Sequence, residues 1–193
     1  MSSISLIVGL GNPGKEYAQT RHNAGFWFVE QLADRYGINL KADPKFHGYS
    51  GRGQVEGHDV RLLLPTTFMN RSGQSVAPFA KFYQVAPESI LIAHDELDMD
   101  PGVIRLKTGG GHGGHNGLRD IVPHMGPNFH RLRIGIGHPG SKERVSGHVL
   151  GKAPSSEQSL MDGAIDHALS KVKLLVQGQV PQAMNQINAY KPA

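Results

Sequence analysis

Apolar positions along the chain fall into two rhythms. Short runs at Ile4 to Leu10, Val60 to Leu64, Ser89 to Ala93 and Arg131 to Gly137 have the length and β-branched content of strands, and Glu56-Gly57 inside Gln54 to Asp59 reads as a hairpin turn. Between them the spacing becomes helical. Phe26, Val29, Ala33 and Tyr36 share one face of a helix that Asn23 can cap and Gly37 can end, and Val76, Phe79, Ala80 and Tyr83 mark a second helix from Ser72 to Tyr83. Toward the C-terminus, Leu160, Ala164, Ala168, Val172 and Leu175 predict one long helix, with Ser155 and Gln158 as a capping box and Gly178 as its stop. Pro181 can begin a last short helix. Strands alternating with helices predict an α/β fold, a sheet covered on both faces.

A chain of 193 residues without repeats or linkers is expected to form one domain over 1–193. It has no cysteine, which excludes disulfides and thiolate metal sites and fits a cytoplasmic protein. The first apolar run has no basic residue before it and meets a glycine-proline turn, unlike a signal peptide or membrane span, so no membrane association is expected. Charge is uneven. Arg105 to Lys152 holds eight Lys or Arg against two acids, a net of +6, so the rest of this +4 chain is acidic. Such a segment can be a footprint for phosphates or simply a solvated face.

In open α/β sheets, ligands bind beyond the carboxyl ends of the strands. Asn12, Asn70, Asp95 and His138 each follow an apolar run, so parallel strands would put them on one edge; the plainer reading is that Asn and Asp gather in turns for backbone reasons. Gly9 to Gly14 matches G-x-G-x-x-G after a strand, but Pro13 interrupts the loop and no helix starts until Asn23, which argues against a dinucleotide site. Gly109 to Gly117 holds six of the 25 glycines, a composition suited to an unusual backbone path or to gripping a ligand, with a helix following from Asn116. His112 and His115 in that loop would still need a third metal ligand, and no H-E-x-x-H occurs, so no metal or other cofactor is expected.

Hydrolysis without cysteine, metal or a G-x-S-x-G serine leaves a histidine acting as general base on water, oriented by a carboxylate. His22, at a helix start, and Asp95, at a strand end, can form such a pair, although spacing alone does not bring them together.

The stretches LIVGLGNPGKEYAQTRHNAGF (6 to 26), PTTFMNRSG (65 to 73), ILIAHDELD (90 to 98), GGGHGGHNGLRD (109 to 120) and FHRLRIGIGHPG (129 to 140) together resemble bacterial peptidyl-tRNA hydrolases. The resemblance implies a single three-layer α/β domain with a mixed twisted sheet between helices. It implies hydrolysis of the ester joining a peptide to the 3′ ribose of tRNA, recycling tRNA from prematurely released peptidyl-tRNA. His22 then falls on the base and Asp95 on its carboxylate, with Asn70 and Asn116 as amide donors to the developing oxyanion. Asn12 falls where blocked and free aminoacyl-tRNA are told apart, and Tyr17, Phe68, Met69 and His115 among the substrate contacts. Core packing is the alternative for Phe68 and Met69. Lys107 and Arg133 match a phosphate clamp, assisted by Lys142, so tRNA is the implied partner of a monomer with no obligate protein partner. A non-catalytic RNA-binding module on the same fold is the competing reading, and a nucleotide-dependent oxidoreductase, resting on the first glycine loop alone, is a third.

Overall fold

The computed structural model describes residues 2–192. Strand β1 (Leu6–Gly9) is followed by helix α1 (Ala24–Arg35), strands β2 (Lys41–Asp43), β3 (Gly48–Val55) and β4 (His58–Pro65), and helix α2 (Gly73–Phe82). Then come β5 (Ile90–Glu96), β6 (Ile104–Thr108), α3 (Asn116–Met125) and β7 (His130–Gly135), and four helices close the chain: α4 (Val145–Val149), α5 (Ser155–Leu169), α6 (Val172–Val176) and α7 (Val180–Asn188). The strands form one mixed sheet in the order β2-β3-β4-β1-β5-β7-β6. The four central strands β4, β1, β5 and β7 run parallel, and the edges pair antiparallel.

Alternation within the central strands decides the layers. In β1 the side chain of Ile7 joins Phe28, Val29 and Leu32 of α1 on one face, while Leu6 and Val8 join Val76 and Phe79 of α2 and Leu118 and Ile121 of α3 on the other. β5 is buried along nearly its whole length, as expected for a parallel strand covered on both faces. The hairpin between β3 and β4 turns through Glu56 and Gly57, both at positive φ (49° and 79°), the requirement of a two-residue type I′ turn. The edge strands β2 and β6 lie outside the apolar runs read from sequence, because no residue of β2 is buried and β6 buries only Ile104 and Leu106.

Helix ends toward the C-terminus depart from expectation in two places. Ser155 does not cap α5: Pro154 takes the extended backbone that a cap residue needs, so Ser155 is already inside the helix, and the Gln158 amide donates to Asp162 instead of folding back. The long C-terminal helix breaks at Ser170 and Lys171 into α5 and α6, and Leu160 lies at the surface while Met161, Ile165 and Leu169 carry the buried face.

Gly9 and Gly11 serve packing. A Cβ on Gly9 would sit 2.2 Å from the Gly25 carbonyl oxygen, and one on Gly11 would sit 2.7 Å from the Phe26 ring, so both let α1 lie directly on the sheet. This close approach seats the short turn Arg21–Asn23, ahead of α1, against β5.

Candidate active site

Because β1, β4 and β5 are parallel, their carboxyl ends share one edge, and a cleft of about 650 Å³ opens there. Asn12, His22, Phe68, Met69, Asn70, Asp95, His115, Asn116 and Lys142 all line it. His138 does not; its Nδ1 accepts the Gly140 amide, a local turn contact. A second cleft of about 690 Å³ lies beyond Asn12, with Glu30, His47 and Arg71 on its walls, but no titratable side chains are paired across it.

At the centre is Asp95, 3% exposed. Its Oδ2 lies 2.8 Å from His22 Nδ1 and its Oδ1 lies 2.8 Å from His115 Nε2. The His115 tautomer is fixed by its other nitrogen: Nδ1 accepts the backbone N–H groups of Gly117 and Leu118 at 3.1 and 3.4 Å, capping α3. Its proton therefore sits on Nε2 and is donated to Asp95. His22 likewise donates from Nδ1 when neutral, which leaves its Nε2 lone pair facing the cleft. Burial pulls the His22 ring toward a lower pKa, but the charge and hydrogen bond of Asp95 outweigh it and hold the ring above its ordinary 6.5. For Asp95, burial pushes up, yet the flanking imidazoles win and hold the carboxyl well below the usual carboxylate range. Beneath them His94 donates from Nδ1 to the Asp95 main-chain oxygen and packs its ring on His115, and burial brings its pKa down to about 3.

His22, Asp95 and His115 also bring three metal-ligand atoms within 4.8 Å of one another, a grouping that the spacing of the histidines did not reveal. The two contacts at Asp95 have the length of N–H···O hydrogen bonds, and a cation there would have to displace both protons.

The asparagines are oriented by what holds their oxygens. Asn12 Oδ1 accepts the Met69 N–H at 2.7 Å, so the Asn12 NH₂ is its free end. Asn116 Oδ1 accepts from Arg119 at 3.3 Å, which leaves the Asn116 NH₂ free as well. Asn23, expected as a helix cap, makes no side-chain cap; its amide is drawn to the Asn12 main chain, accepting from its N–H at 2.8 Å and donating to its carbonyl at 3.0 Å. Neither Asn23 nor Arg119 stood out as a site residue in the sequence, although Arg119 sits one helical turn after Asn116.

Phe68 has a backbone that side chains avoid (φ 64°, ψ 153°); the residue is 50% exposed, and its ring lies edge-on to Tyr17 with ring centroids 6.1 Å apart. Core packing is therefore not its role. Met69, by contrast, is buried in the core beneath the cleft. Lys107 and Arg133 do not line the cleft; they stand on neighbouring strands, on the sheet face shared with Arg105 and Arg131. Arg133 Nε donates to Glu96 at 3.0 Å, so one edge of its guanidinium is anchored and the other is available.

Three comparisons with known proteins bear on this arrangement. The model of the family described as peptidyl-tRNA hydrolase matches residues 6–193. A peptidyl-tRNA hydrolase of Acinetobacter baumannii is 92% identical over 193 residues, covering 100% of both chains, and one of Psychrobacter cryohalolentis is 62% identical over 189 residues, 98% of each. The crystal structure of peptidyl-tRNA hydrolase from Acinetobacter baumannii matches with a TM-score of 0.99 at 91% identity, over 100% of this chain and 98% of that one.

Proposed function

The chain belongs to the peptidyl-tRNA hydrolase family, and from that membership we propose how its cleft hydrolyses the ester between a peptide and the 3′ ribose of tRNA. The observation that carries the reading is the position of Asp95 between His22 and His115, with His22 Nε2 left open to the cleft.

His22 Nε2 takes a proton from water, and the hydroxide oxygen bonds to the ester carbonyl carbon. Asp95 stabilises the imidazolium so formed, while His115 holds the carboxylate in place. The carbonyl π electrons move to oxygen, where the NH₂ groups of Asn70 and Asn116 can donate. When the tetrahedral intermediate collapses, the bond to the ribose oxygen breaks and that oxygen receives the proton from His22. The products are a peptide carboxylic acid and tRNA with a free hydroxyl. A positioned base contributes about 10²- to 10⁴-fold, so orientation and oxyanion donors supply the rest.

The free NH₂ of Asn12 gives a basis for selectivity. It is a donor, suited to a peptide carbonyl; an unblocked aminoacyl ester offers an ammonium there, which cannot accept. Phe68 and Tyr17 form an aromatic ledge for the acceptor end, and Met69 lies under the peptide side. Lys107 and Arg133, with Lys142 at the cleft wall, receive phosphates of the tRNA body. On this reading the protein acts as a monomer in the cytoplasm, where its substrate arises, without a cofactor.

The test is to incubate the protein with N-acetyl-aminoacyl-tRNA and with unblocked aminoacyl-tRNA, in EDTA. Release from the blocked substrate alone supports the reading. Folded protein that binds tRNA without releasing either acyl group would leave an RNA-binding module instead.

A further inference from the structure

We propose that Arg131 is a positioning residue for this reaction, holding the glycine-rich wall of the cleft so that His115 and Asn116 meet Asp95 and the substrate; the inference rests on the function proposed above.

The wall has little to hold itself with. Gly109, Gly110, Gly113 and Gly114 all have positive φ (68°, 102°, 57° and 83°), and residues 109–111 carry no side chain at all. At its start the Gly109 N–H donates to Phe129 O at 3.0 Å. Its other main-chain bonds are internal: Gly114 N–H to His112 Nδ1, and His115 N–H to His112 O. Between Gly110 and Gly114, the hydrogen bonds to the rest of the described protein come from one side chain. Arg131 Nη1 donates to Gly111 O, and Arg131 Nη2 donates to Gly110 O at 2.6 Å and to Pro127 O at 3.1 Å. The guanidinium also lies over the Phe129 ring, 4.4 Å from its centroid.

Arg131 is 2% exposed and makes no ion pair among the described residues. A buried cation without a carboxylate is costly unless carbonyl dipoles replace water, and three carbonyls do so here. Its two Nη groups are thus spent on main-chain carbonyls of the loop and of Pro127, while Nε is buried without a partner, unlike Lys107, its partner in the β6–β7 register, which faces solvent. The planar fork matters as well. A lysine keeps the charge but presents a compact ammonium that cannot span acceptors from two segments.

The test compares Arg131→Lys and Arg131→Ala with wild type on N-acetyl-aminoacyl-tRNA and on a short N-acetyl-aminoacyl oligonucleotide ending in the same 3′ adenosine. Wild-type turnover in the same assay separates failure of this inference from failure of the proposed function. The expectation for Arg131→Lys is a loss in kcat on the order of 10²-fold, equal on both substrates. The salt slope of tRNA binding should stay at the wild-type value, and amide exchange should accelerate at 110–114. Added guanidinium should restore part of the turnover of Arg131→Ala, and methylammonium should not. Wild-type kcat in Arg131→Lys would overturn the proposal, as would a loss confined to KM for whole tRNA, which marks a phosphate contact. Melting of both variants below the assay temperature would also overturn it, in favour of a role in the fold alone.

Discussion

His115 donates its Nε2 proton to Oδ1 of Asp95 across 2.8 Å, because its other ring nitrogen is already engaged in capping α3. On the proposed function the histidine then braces the carboxylate while also lining the cleft. Replacing His115 with Ala should therefore lower kcat with little change in KM. A steady-state series on N-acetyl-aminoacyl-tRNA checks this, and a rise in KM at constant kcat would return His115 to the substrate side.

The pH dependence follows from His22. Its pKa is held above 6.5, and the base of the proposed function must be neutral to act, so on that proposal kcat/KM should rise with pH through a limb lying above 6.5. Asp95→Asn removes the anion that raises the pKa, which should move the limb to lower pH while reducing the plateau. A pH–rate profile of both proteins decides it; a limb that does not move would detach Asp95 from His22.

Asn12→Asp should erode selectivity. The carboxylate keeps an oxygen toward Met69 N–H but replaces the free NH₂ with an acceptor, which suits an ammonium better than a peptide carbonyl. The ratio of kcat/KM for blocked over unblocked aminoacyl-tRNA should fall, with about 1 to 3 kcal/mol at stake for an unmatched buried polar group. An unchanged ratio would remove Asn12 from selection.

Lys107→Ala with Arg133→Ala should weaken tRNA binding and flatten its salt dependence, by about one unit of slope for each phosphate that is no longer neutralised. Hydrolysis of the short oligonucleotide ester should be nearly unaffected. Equal salt slopes for wild type and double variant would refute the clamp.

Gly25→Ala tests how the site is seated. A Cβ there would lie 2.3 Å from the Ala93 carbonyl oxygen and 2.6 Å from the Leu10 nitrogen, both backbone atoms that cannot step aside. Thermal melting should show a loss of at least the 1 to 3 kcal/mol typical of overpacking, roughly, and turnover should drop as His22 shifts from Asp95. A melting temperature equal to wild type would show that α1 can lift off the sheet at no cost.

The sequence carried the central strands and most helices because burial on one or both faces leaves a periodic trace. Edge strand β2 left none, β6 left only the short alternation of buried Ile104 and Leu106 with exposed Arg105 and Lys107, and the break at Ser170 followed no glycine or proline. Within the site, strand ends pointed to Asn12, Asn70 and Asp95, since parallel strands align their carboxyl ends. The contact between His22 and Asp95 spans 73 positions and the roles of Asn23 and Arg131 depend on which oxygen each side chain meets, so local pattern could not disclose them. The family resemblance supplied the first of these, and only the three-dimensional arrangement supplied the other two.

The most direct test of the central claim is turnover of N-acetyl-aminoacyl-tRNA by His22→Ala alongside its affinity for tRNA. With His22 as the base on water, kcat should fall by about 10²- to 10⁴-fold while Kd stays near the wild-type value, and added imidazole should recover part of the lost rate. Turnover within about tenfold of wild type, below the span expected for a positioned base, would contradict the account.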